Sequence, residues 1–174
     1  MIAIEFTIPG QIVGKNRAYL PGNGRWKIKS PEAKEYEQKI RAAAREAAEK
    51  AKWPKDLFLV ERVKMAAQSY NSGHDADAKV LLLQDSLQGQ EWYLGHLYVN
   101  DKSVGWESND PNGTIVDDLG PRLWVRVTLV ALRSQAEADY LRNRAGVLRE
   151  NRARREAGLP TIALPKPIVG RAKA

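Results

Sequence analysis

The sequence predicts an α+β fold: a small mixed β-sheet with helices packed on it, plus a basic C-terminal helical extension. Three observations carry this. Strand-period alternation appears at Ile2, Ile4, Phe6 and Ile8, and again at Leu123, Val125, Val127, Leu129 and Ala131. Two stretches between them, one alanine-rich and one leucine-rich, space their apolar residues as helices do. Past Leu132 the composition turns polar and rich in arginine.

Taken in order, the first strand ends at Pro9-Gly10, and residues 10–29 read as an irregular loop rich in glycine and positive charge. Ser30-Pro31-Glu32 is a helix start, with a capping hydroxyl, proline at the first helical position and an acid in the first turn. The helix runs to about Trp53, with Tyr36, Ile40, Ala43, Ala44 and Ala47 on one face, and Pro54 stops it. Leu57 to Tyr70 reads as a strand with Leu57, Leu59, Glu61, Val63, Met65 and Ala67 on one side; Glu61 breaks the pattern. Asn71-Ser72-Gly73 is a turn. A second helix runs from about Asp75 to Leu87, burying Val80, Leu81, Leu83 and Leu87 and ending before Gly89. Leu97 to Val104 is a short β element carrying Asn100-Asp101, residues 106–121 form a long loop, and Arg122 to Leu132 is the clearest strand. Ser134 to about Ala157 is a polar helix with a thin apolar stripe at Tyr140, Leu141 and Leu148, and a proline-containing flexible tail follows. The expected organisation is a globular domain over 1–133 and an extension over 134–174.

The 174 residues carry a net charge of +7 and contain no cysteine. Disulfides, thiolate nucleophiles and cysteine-ligated zinc are therefore excluded. No apolar run approaches the roughly 20 residues that span a bilayer, and the first residues lack a signal-peptide pattern, so a soluble, cytoplasmic protein is expected. The positive charge is concentrated. Residues 134–174 hold nine Lys/Arg against four Asp/Glu, leaving 19 against 17 elsewhere. Lys15, Arg17, Arg25, Lys27 and Lys29 fall in a stretch without any acid. Such clusters suit a polyanion, although they also serve solubility.

The acids offer a chemistry. Asp75 and Asp77 sit at a helix start, where carboxylates commonly satisfy free amide hydrogens. A third acid, Asp101, could join them from the following β element. Three carboxylates around one pocket suit a hard cation such as Mg²⁺, which takes oxygen ligands and can activate water against a phosphodiester. His74 and His96 are the two imidazoles in the chain. His74, beside Asp75, could touch such a metal or the phosphate. Asp117-Asp118, followed by Leu119-Gly120-Pro121, reads as turn chemistry or a supplementary ligand.

The run from His74 through Leu87, followed by Val99-Asn100-Asp101-Lys102-Ser103-Val104, resembles the core of RusA-type Holliday junction resolvases. That family carries Asp-x-Asp-Asn-x-x-Lys, an Asp-Ala-Leu-like segment, then Asp-Asp before a hydrophobic strand. Asn16-Arg17, Ser30 and the Tyr36 helix follow in the family's order, so the resemblance spans roughly residues 4–130. It implies a homodimeric, Mg²⁺-dependent endonuclease, with Mn²⁺ as a substitute, that nicks four-way DNA junctions in recombination and repair. It assigns Asp75, Asp77 and Asp101 as the metal-binding catalytic carboxylates and makes Asp85 a structural or supporting acid. The chain departs from the pattern at Ala78, at Asn100 and, most consequentially, at Leu81, where the family has lysine. Position 81 lies about 40° around the helix from Asp77 and Lys79 about 200° away, so Lys79 is no replacement. Lys102, beside Asp101, is the better catalytic cation.

DNA backbone contacts are expected from Lys15, Asn16, Arg17, Arg25, Lys27 and Lys29, with Trp26 among them to stack on a base or to pack the loop. The arginines between 142 and 155 form a second basic region that could hold DNA, extend the dimer or remain a solvated helix face. A non-catalytic branched-DNA-binding protein of the same fold is the alternative, and an assembly protein with a basic tail is a third.

Overall fold

A computed structural model describes residues 2–13, 15–21, 27–71, 76–107 and 114–166, excepting the side chains of 15, 16, 21, 27, 76–79 and 114. The architecture is α+β. Strand β1 (Ala3–Pro9) pairs antiparallel with β7 (Arg122–Leu132), placing Ile4 opposite Val127, Phe6 opposite Val125 and Ile8 opposite Leu123. Strand β4 (Val60–Tyr70) pairs antiparallel with the other edge of β7 and parallel with β5 (Val104–Trp106) and β6 (Thr114–Ile115). Period-2 alternation directs Ile4, Phe6, Ile8, Leu123, Val125, Val127, Val63 and Met65 into one buried layer. Each such side chain contributes about 1.5–3 kcal/mol of burial.

Helix α2 (Pro31–Lys50) covers that layer. Ser30 caps it, its hydroxyl accepting from the Ala33 amide at 3.1 Å. Its buried stripe is Ala33, Tyr36, Glu37, Ile40, Ala44 and Ala48; the small residues admit close approach, and buried Glu37 requires partners. Helix α3 (Ala76–Leu87) packs beside α2. Its buried residues include Leu82, Leu83 and Leu87, whereas Leu81, expected inside, is 37% exposed. The core-facing stripe is thus turned toward position 82.

Three further segments differ from their sequence pattern. Residues 10–29 are not wholly irregular: α1 (Lys15–Ala18) leads into β2 (Tyr19–Pro21), which pairs antiparallel with β3 (Lys27–Lys29). Leu57–Leu59 form a 3₁₀ turn capped by Asp56, and the register of β4 against β7 shifts between Val60 and Val63. That bulge explains the misplaced Glu61, because Val60 and Val63, three residues apart, are both buried and the period-2 alternation breaks between them. Around residues 97–104, Tyr98 makes a single bridge to Gln88, and Asp101–Ser103 form a 3₁₀ turn before β5 begins.

Helix α4 (Gln135–Glu156) opens with a reciprocal capping box between Ser134 and Glu137. It docks through Arg142, whose guanidinium lies 5.5 Å from the Phe58 ring centroid and pairs with Asp56. Residues 159–166, expected within a flexible tail, are bonded back to α4. Asn151 exchanges two hydrogen bonds with Ile162, and Arg154 donates to the Pro160 carbonyl at 2.7 Å. Among the described residues no helix is long and apolar enough to cross a membrane.

Candidate functional site

Asp101 is an exposed carboxylate on the 3₁₀ turn that feeds β5. Asn100 caps that turn, its Oδ1 accepting from the Lys102 amide at 2.9 Å, so its side-chain oxygen serves the backbone. Tyr98 is fully buried just upstream and donates to the Gln84 carbonyl at 3.2 Å. Burial, then the nearby charges of Asp101 and Asp85, push the Tyr98 phenol upward. Gln84 lies seven residues along α3 from Asp77, about 10 Å of helix axis.

Asp77 falls in the first turn of α3, but its side chain lies outside the described residues, as do His74 and Asp75. Of the expected trio only Asp101 has a described side chain. Among the described residues no three His, Asp or Glu side chains gather as metal ligands. The donor chemistry of the three aspartates, hard oxygen without sulfur, suits Mg²⁺.

Asp85 has a structural place. It accepts from the Tyr19 hydroxyl at 2.7 Å and lies 3.6 Å from Lys29 Nζ. Lys29 also donates to Glu37 at 3.0 Å, while Arg41 pairs with Glu37 and donates from Nε to the Ser86 carbonyl at 3.1 Å. This network ties the β2–β3 hairpin to α2 and α3. Lys29, expected on DNA, thus has two carboxylates of its own and is 24% exposed. Arg17 pairs with Glu32 at 2.8 Å, but both are well exposed, and such a pair is readily exchanged for a phosphate. Lys15, Asn16 and Lys27 lie on α1 and β3 with side chains outside the described residues; Arg25 and Trp26 lie outside altogether.

The Asp117-Asp118 pair proves to hold a loop. Asn71, in the left-handed region at φ 51°, donates to the Asp117 carbonyl and carboxylate at 3.0 Å each and to the Leu119 carbonyl at 2.6 Å. Arg122 grips the same carboxylate and lies 4.1 Å from the Tyr70 ring centroid. The Arg122 hydrogen bond, chiefly, holds the Asp117 carboxyl down to about 2. His96 is buried against Gly89 with the Glu91 carboxylate 3.4 Å from Nδ1, and burial, then Arg41, lower its pKa.

One further feature draws on residues far apart in the sequence. A cleft of about 410 Å³ opens where the β4 bulge, the end of β7 and the Asn100–Ser103 turn meet. Arg62, Lys102, Arg133 and Glu61 line it. It shares Asn100, Ser103 and Arg133 with a second hollow of about 210 Å³ that reaches Arg144 and Leu148 on α4. No sequence spacing announces this cleft; the misfit at Glu61, which marks the bulge, was the available signal. Neither a protein-family model nor a curated protein matches this chain.

Proposed function

We propose that the chain is a metal-dependent endodeoxyribonuclease acting on branched DNA, in the manner of RusA-type Holliday junction resolvases. The observation that carries this reading is the ordered run Asp75-x-Asp77, Asp85, Asn100-Asp101 across a helix and the approach to a parallel strand. The exposed Asp101 carboxylate, flanked by two residues of a basic cleft, supports it. Asp75, Asp77 and Asp101 would hold Mg²⁺, or Mn²⁺ in its place. The ion supplies Lewis-acid polarisation of the phosphodiester and a bound water of lowered pKa. Lys102 sets a positive charge beside the strand, where it offsets charge developing on the phosphate. Lys15, Arg17 and Lys27 of the α1–β3 segment hold the backbone, and a homodimer presents two such sites to a four-way junction.

The test is nicking of a synthetic four-way junction in Mg²⁺ and in Mn²⁺. Wild type should cut, and Asp77→Asn should lower the rate by at least about 10³-fold while retaining junction affinity. Binding without any cutting in either metal overturns the catalytic reading. One observation favours a second reading, a non-catalytic branched-DNA-binding protein: position 81, on the Asp77 face of α3, presents an exposed leucine where the resemblance calls for lysine.

A further inference from the structure

We infer that the joined cleft between the β4 bulge and α4 is a track for a nucleic-acid strand, with Lys102, Arg133 and Arg144 on its phosphates. This rests on the nucleic-acid reading above and adds a binding surface that joins Lys102, within the RusA-like segment, to Arg133 and Arg144 beyond it. The argument begins with charge. Arg62, Lys102, Arg133 and Arg144 bring four positive charges and Glu61 one negative, a balance of +3 over the two linked hollows. None of the four cations has a carboxylate partner among the ion pairs of the described residues, although on the same helix Arg142 has two and Arg152 and Arg154 one each. Cations in excess of the one carboxylate in the cleft raise the local potential and favour a polyanion.

Position is the second part. Arg133 is anchored from Nη1 onto the carbonyls of Phe58 and Val60, just before the bulge, so its charge is fixed where the two hollows join. Lys102 stands on a capped turn directly after Asp101. The third part is the wall. The α4 side of the track presents Leu141, Ala145 and Leu148, with Leu148 49% exposed. An apolar wall beside a row of cations matches a strand, whose sugars and bases are apolar and whose phosphates are charged; a free phosphate has no use for the wall. Asn100 and Lys102, the chain neighbours of Asp101, line the track, so it runs beside the turn that carries that carboxylate.

The experiment measures affinity by fluorescence anisotropy in EDTA, using a labelled four-way junction and a labelled single-stranded oligonucleotide over a salt series. Removing two phosphate contacts with Lys102→Ala/Arg144→Ala should flatten the slope of log K against log salt by about 2 and weaken binding roughly fifty-fold near 0.1 M salt. Both side chains are exposed, so thermal unfolding should not move. The comparison variant, Arg149→Ala/Arg155→Ala, removes the same charge from exposed α4 positions outside the cleft and should change the slope far less. An unchanged slope in the first variant, or an equal loss in the second, overturns the track. Displacement of the oligonucleotide by poly-glutamate at equal charge concentration would point to an acidic protein partner and overturn the nucleic-acid assignment. A chain that nicks junctions but keeps full affinity in Lys102→Ala/Arg144→Ala overturns this inference alone. A chain that binds through the cleft and never nicks overturns the catalytic proposal alone.

Discussion

Two charged regions of this molecule are built from the same residue types and differ in how their charges are met. Around α2 and α3, Glu37 and Asp85 are answered by Lys29, Arg41 and Tyr19, and Arg41 also satisfies the Ser86 carbonyl. In the cleft beside α4, Arg62, Lys102, Arg133 and Arg144 have no carboxylate partners among the ion pairs of the described residues. The first arrangement satisfies its own charges and joins elements; the second keeps its charges available to a partner. A basic residue is therefore informative about binding only after its partners are known: Lys29, expected on DNA, is met by Glu37 and Asp85 instead.

Perturbing the two regions should have opposite readouts. The largest stability loss is expected at Gly95, which closes the 3₁₀ turn Trp92–Leu94 against α2. Its φ is +87°, and an added Cβ would lie 2.1 Å from the Arg41 carbonyl oxygen. Gly95→Ala should cost about 3 kcal/mol or more in denaturant unfolding, since positive φ and backbone overlap add. Glu37→Gln should cost about 2 kcal/mol by leaving Lys29 and Arg41 without their shared carboxylate, while DNA affinity stays within about twofold. A large affinity loss in Glu37→Gln with stability intact would dissolve the distinction between the regions. The smallest effect concerns the Asp117 clip. Its folded pKa of about 2 lies below the ordinary 3.8, so its contribution is present above pH 4 and is lost as pH falls toward 2. Asp117→Asn should flatten the stability curve across that acid interval and leave junction binding near neutral pH unchanged.

Much of the fold was legible because its signals are local. The alternation in β1 and β7, the Ser30 cap and proline start of α2, and the Ser134 cap of α4 each appear where the residues predict them. The bulge in β4 was legible only as a defect at Glu61, because a broken period in one strand does not show how its partner β7 is interrupted opposite it. Leu81 was misplaced because Val80, Leu81, Leu82 and Leu83 are all apolar, and only packing against α2 selects the inner face. The β2–β3 hairpin escaped because its strands are three residues long and are fastened through Tyr19 and Lys29 to side chains on α2 and α3.

By itself, then, the sequence determined the α+β class, the absence of thiol chemistry, and the set of acids from which a metal site can be drawn. Those follow from composition and from short-range periodicity, which act before any long-range contact forms. Only the tertiary structure decided which charges are spent internally and which are left to a partner. Pairing depends on distances between residues as far apart as Asp56 and Arg142, or Tyr19 and Asp85, and those distances exist only once the sheet and helices have packed.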